Sequence, residues 1–166
     1  LVAGVGTYTA ESLTAVPDLD AIYVPIGLGS GICGAISARD ALGSKADVVG
    51  VVAENASAYA LSYDAGKLIA TNSADTFADG LAVRIPDPQA LEAILAGVAR
   101  VVTVSEQEMK AAVRYYYTDT HNLAEGAGAA SLAALMQEKE AMAGRKVGLV
   151  LSSGNIDRDL YLDILT

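Results

Sequence analysis

A branched apolar run passes straight into glycines in Tyr23-Val24-Pro25-Ile26-Gly27-Leu28-Gly29-Ser30-Gly31-Ile32-Cys33-Gly34. Glycine turns the backbone freely and removes side chains that would hold a ligand away, so successive N–H groups can converge on one anion. A helix starting at that point adds its dipole to the same field, and phosphate is the natural guest. Three readings of these residues stay open. Gly29-x-Gly31-x-x-Gly34 fits the dinucleotide fingerprint, with Glu54 twenty residues beyond Gly34 where a ribose-binding acid is expected. The phosphate of another cofactor fits the same glycines, and a ligand-free strand-to-helix turn is the third reading.

Other residues with chemical potential are few. Ser152-Ser153-Gly154 ends an apolar run and offers hydroxyl donors or a helix cap. Glu125 precedes an Ala-rich stretch, where a helix dipole favours a carboxylate. A nucleophilic lysine must be buried beside its electrophile. Lys45 and Lys67 sit in polar turns, Lys110 and Lys139 on charged helix faces, and Lys146 enters a strand, so none is suitably placed. His121 lies between helices and reads as structural, and Cys33 reads as a small core residue. One Cys and one His exclude a disulfide or a closed Cys/His metal site, which suits a cytoplasmic protein.

The elements that must position these groups follow from periodicity. Residues 21–26, 48–53, 101–104 and 147–151 read as strands whose composition suits burial on both faces. Residues 9–15, 32–42, 56–65, 88–99, 106–117, 124–142 and 157–165 read as helices. Ser105 with Glu108 forms a capping-box pattern, and Pro88 suits a first helical position. Residues 1–7 read as a turn and 67–86 as an irregular loop. The fold class is therefore α/β, an open, largely parallel sheet flanked by helices.

The chain has 166 residues, 52% of them hydrophobic and 19% charged, which provides a core and excludes disorder. No boundary or repeat divides it, and no signal peptide is expected. A net charge of −9, from 11 basic and 20 acidic residues, argues against nucleic acid and anionic membranes as partners. The Tyr115-Tyr116-Tyr117 triplet covers three helix directions, so at least one ring is expected at the surface, in keeping with a homo-oligomer. The chain starts at Leu1 without a Met and reads as a portion of something longer.

The glycine loop is followed in order by Thr76-Phe77-Ala78-Asp79-Gly80-Leu81-Ala82-Val83-Arg84, then Glu125-Gly126-Ala127-Gly128-Ala129-Ala130, then Leu151-Ser152-Ser153-Gly154-Asn155-Ile156-Asp157. Together these segments resemble the C-terminal half of the threonine/serine dehydratases, pyridoxal 5'-phosphate enzymes of the tryptophan-synthase-β fold type (fold type II). The resemblance extends over residues 1–166 and implies the C-terminal portion of a cofactor-binding large domain. It implies phosphate ligands at Gly27, Leu28, Gly29, Ser30 and Gly31, a pyridine-nitrogen partner at Ser152, and a glutamate near cofactor and substrate at Glu125. Asp79-Gly80 is then expected to shape its loop. Glu54 and Ala58 match two positions of a cation site in some relatives, but Ala60 stands where that site has an acid, so no metal is expected. The Schiff-base lysine and the substrate-carboxylate loop of the family lie upstream of the glycine loop and have no counterpart here. The implied reaction is dehydration of a β-hydroxy amino acid, threonine or serine by default, to a 2-oxo acid and ammonia. The missing N-terminal half is the implied partner, and this chain alone is expected to be inactive. A nicotinamide-binding oxidoreductase domain and a non-catalytic half-domain are the alternatives.

Overall fold

Strands β1 (Ala21–Pro25), β2 (Asp47–Ala53), β3 (Arg100–Val104) and β4 (Val147–Leu149) form one parallel sheet in the order β3-β2-β1-β4. The computed structural model describes all residues from Leu1 to Thr166. Tyr23 of β1 stands opposite Val49 of β2 and Leu149 of β4. Alternate strand residues point to opposite faces, so the sheet sorts its own side chains into two cores. Ala21, Tyr23, Val49, Val51 and Ala53 enter one, and Ile22, Val24, Val48 and Val52 enter the other.

The helices are α1 (Val2–Val5), α2 (Thr7–Ala15), α3 (Ser30–Ala41), α4 (Ala58–Ala65), α5 (Pro88–Gly97), α6 (Glu106–Thr120), α7 (Gly126–Gln137) and α8 (Arg158–Leu165). Met109 and Val113 of α6, Ala129 to Ala134 of α7 and Ile164 of α8 close the first core. Ile32 and Ile36 of α3, Tyr59 of α4, and Leu91 and Ile94 of α5 close the second. Both faces of β1 and β2 are thereby covered, which is why these strands read as unbroken apolar runs.

Local start signals act as the sequence indicates. Ser105 accepts from the Glu108 amide while the Glu108 carboxylate accepts from the Ser105 amide, a complete capping box. Pro88 begins α5, and Asp87 ahead of it accepts the Ala90 amide at 2.9 Å. His121 ends α6 in the left-handed region at φ 56°. Tyr116 is buried between exposed Tyr115 and Tyr117, so two rings of the triplet face outward.

Four expectations need correction. Residues 2–5 form a short helix rather than a turn. The stretch 124–142 is helical only over Gly126–Gln137, because Glu125 is extended at φ −86° and ψ 174° and the backbone leaves helical geometry at Glu138, φ −94° and ψ 10°, for turns. Strand β4 ends at Leu149 and is half-buried, since β1 is its only neighbour. Cys33 is half-buried, packed against the edge of the second core rather than inside it.

Arg100 opens β3 and donates to Glu138 through Nε at 2.8 Å and a terminal nitrogen at 2.6 Å. The Tyr23 hydroxyl also donates to Glu138 and accepts from Arg100 at 3.0 Å. Burial, then the Glu138 charge, pushes the Tyr23 phenol up to about 12. The Arg100 guanidinium holds the Glu138 carboxyl below its ordinary 4.5. Glu138→Gln keeps the volume and removes the charge, and is expected to cost about 1–2 kcal/mol of stability at pH 7. A carboxyl depressed by folding stabilises fully above its ordinary pKa and loses that contribution as pH falls through the lower folded value. Urea titrations should show a gap between parent and variant that narrows from pH 7 to pH 3.

Candidate functional site

Beyond the carboxyl ends of β1 and β4 the backbone leaves a cleft of about 650 Å³. Ligands of open α/β sheets bind in crevices of this kind. Gly27, Leu28, Gly29, Ser30, Gly31, Glu125 and Ser152 all line it, so the structure gathers every predicted ligand residue from three distant segments into one wall.

The loop leaves β1 with the Ile26 amide still bonded to the Val51 carbonyl at 2.8 Å. Gly29 has φ +103°, a conformation that costs a residue with a Cβ, and it precedes α3 as its cap. A Cβ on Gly27 would stand 2.5 Å from the Gly80 carbonyl oxygen, so the 79–81 turn supports the loop from behind. None of the amides from Gly27 to Gly31 donates to a protein acceptor. Five unpaired donors beside the N-terminus of a twelve-residue helix, with glycines leaving room in front of them, fit a phosphate. Leu28 and Ser30 interrupt the glycines without removing an amide.

Glu125 precedes α7 and makes no side-chain hydrogen bond to that helix. It is the only charged side chain lining the cleft, and its carboxylate faces the Gly80 turn. No Lys or Arg lines the cleft, so an anion there would be balanced by peptide dipoles alone. Ser152 lies exposed at the rim, while the neighbouring Ser153 carbonyl accepts the Glu125 amide at 3.2 Å. A Cβ on Gly128 would collide with that Ser153 carbonyl, so the 151–154 segment rests directly on the first turn of α7.

Glu54 is exposed in a short 3-10 turn (Glu54–Ala56) and lies outside the cleft, and Ala58 is buried in α4. No three acidic, His or Cys side chains come together to hold a metal ion. The strand order also matches the first four strands of a dinucleotide-binding sheet, yet Glu54 is not in the wall where that reading needs it. Lys45, Lys67, Lys110, Lys139 and Lys146 all stand outside the cleft.

Three residues at the site carry no sequence signal. Tyr8 and Ser12 of α2 line the cleft, with the Tyr8 hydroxyl donating to the Gly31 carbonyl at 3.2 Å, and burial raises the Tyr8 phenol above its ordinary value. Tyr59 is buried behind the loop and donates to the Leu28 carbonyl at 2.9 Å. The sequence singles out neither tyrosine, because only tertiary packing shows where its hydroxyl goes.

Residues 1–154 match the model of the family described as pyridoxal-phosphate dependent enzyme. The chain is 33% identical over 157 residues to L-threonine ammonia-lyase from Thermotoga maritima, covering 95% of this chain and 39% of that protein. It is 29% identical over 166 residues to L-threo-3-hydroxyaspartate ammonia-lyase from Saccharomyces cerevisiae, covering 100% of this chain and 51% of that protein. Among solved structures it resembles threonine deaminase isoform 2 from Solanum lycopersicum in fold, with a TM-score of 0.92 and 24% identity over 98% of this chain and 48% of that one. Maize serine racemase gives a TM-score of 0.88 and 28% identity, over 98% of this chain and 50% of that one. The chain thus spans about half the length, or less, of the curated relatives it matches.

Gly128→Ala is expected to lower stability by about 2 kcal/mol or more, because backbone must move to admit the methyl group. Gly4→Ala meets nothing within 4 Å and should change stability by less than about 0.5 kcal/mol. Urea unfolding midpoints of the two variants check the contrast.

Proposed function

The chain belongs to the family of pyridoxal-phosphate-dependent enzymes, and from that premise we propose that it forms the phosphate and pyridine side of an ammonia-lyase active site. The proposed parent reaction converts a β-hydroxy amino acid, threonine or serine by default, to a 2-oxo acid and ammonia. In this reading residues 1–166 are the C-terminal portion of the cofactor-binding large domain, and a lysine-bearing N-terminal half completes the cleft. The observation that carries the reading is the single wall holding five unpaired amides, Ser152 and Glu125 with no lysine.

When bound, pyridoxal phosphate supplies an electron-withdrawing ring that stabilises negative charge at the α-carbon of an amino acid. The amides of Gly27 to Gly31 bind and orient the phosphate, with the Ser30 hydroxyl as a further donor. Ser152 would be the partner of the pyridine nitrogen, and its hydroxyl would hold no proton there as a carboxylate would. A weaker electron sink suits loss of a β-hydroxyl, where the leaving group removes the electron pair. Glu125 would present its carboxylate to the substrate from the cleft wall.

The relatives act, by name, on threonine and on threo-3-hydroxyaspartate, which supports a β-hydroxy amino acid as the class. A cytoplasmic homo-oligomer is part of the same proposal, with exposed Tyr115 and Tyr117 as surface for a partner copy. No helix is long and apolar enough to cross a membrane.

Incubating the chain with pyridoxal phosphate, followed by borohydride reduction and peptide mapping, tests the proposal. Reversible binding that inorganic phosphate displaces, with no lysine modified, is expected. A stable reduced adduct on Lys45, Lys67, Lys110, Lys139 or Lys146 would overturn the assignment of the lysine to the other half.

A further inference from the structure

We propose that Tyr59 is a positioning residue for the anion site, its hydroxyl fixing the Leu28–Gly29 peptide so that the Gly29 N–H faces the cleft. The inference rests on the phosphate-binding reading given above and adds to it a residue that does not itself touch the ligand. Tyr59 belongs to α4, is 1% exposed and does not line the cleft. Its hydroxyl donates to the Leu28 carbonyl at 2.9 Å and accepts the Asp87 amide at 3.0 Å. Burial keeps the phenol above its ordinary pKa, so it remains a donor.

The Leu28 carbonyl and the Gly29 N–H share one planar trans peptide and point in opposite directions. Drawing the carbonyl toward buried Tyr59 therefore turns the N–H away from the protein interior. Little else can set that plane. The Leu28 side chain is 69% exposed, and the Gly27 to Gly31 amides have no protein partner. On that same side, a Cβ on Gly29 would lie 2.5 Å from the Ala90 methyl group and 3.2 Å from the Tyr59 hydroxyl, and Ala90 is held in turn through its amide by Asp87. Tyr59 and the start of α5, joined by the Asp87 amide, thus back the loop apex together.

Tyr59→Phe keeps the ring and removes only the hydroxyl. Tyr63→Phe is the matched control, since Tyr63 on the same helix donates to the Val98 carbonyl at 3.1 Å, away from the loop. Inorganic phosphate is titrated into the unaltered chain and both variants, with calorimetry for affinity and amide NMR for the Gly29 signal. Tyr59→Phe should bind phosphate about ten-fold more weakly and shift its Gly29 signal less, while Tyr63→Phe matches the parent. Equal binding by Tyr59→Phe and the parent would overturn the inference and leave the phosphate site standing. An equal loss in both variants would also overturn it, because general destabilisation would then explain the effect. Absence of phosphate binding by the unaltered chain would overturn the site reading and this inference together.

Discussion

Backbone lying directly on backbone, with no side chain between, is the constraint on which the cleft depends. The 151–154 segment can reach the first turn of α7 because position 128 carries no Cβ, and the glycine loop rests on the Gly80 carbonyl because position 27 carries none. The first contact joins positions 25 residues apart and the second joins positions 53 apart. Interiors packed this tightly cannot admit even one methyl group without displacement. The small residues of Glu125-Gly126-Ala127-Gly128 therefore serve geometry first, and the chemistry of the wall follows from it.

Electrostatics at the wall are carried by peptide groups. Eleven basic residues are spread through the chain and none lines the cleft, so amides and the α3 dipole are the positive side of the site. Such donors hold their orientation only if the loop is held, which gives the hydroxyl of Tyr59 its importance. The Tyr23, Arg100 and Glu138 cluster anchors the sheet elsewhere: it ties β1, the start of β3 and the end of α7 together through one partly buried carboxylate.

Much of this is legible in the sequence because strand burial writes itself as composition. The Ile22 to Val24 and Val48 to Val52 runs are covered on both faces and read clearly, as does the Ser105 and Glu108 cap. Strand β4 reads as longer and more buried than it is because its apolar residues look like those of β1, although only one neighbour covers them. Helix α7 reads as too long because alanine propensity continues past Gln137, whereas the backbone turns out of the helix at Glu138. The glycine loop, Glu125 and Ser152 can be picked out by residue type and order. Tyr8, Ser12 and Tyr59 cannot, since a helical tyrosine or serine reveals its hydroxyl partner only once the helices are packed.

A crystal structure of the chain grown with pyridoxal phosphate tests the central claim most directly. The phosphate should lie within hydrogen-bond distance of the Gly27 to Gly31 amides, with the ring nitrogen toward Ser152. A phosphate bound elsewhere, or a ring turned away from Ser152 toward Glu54, would contradict the claim that this cleft is half of a pyridoxal-phosphate site.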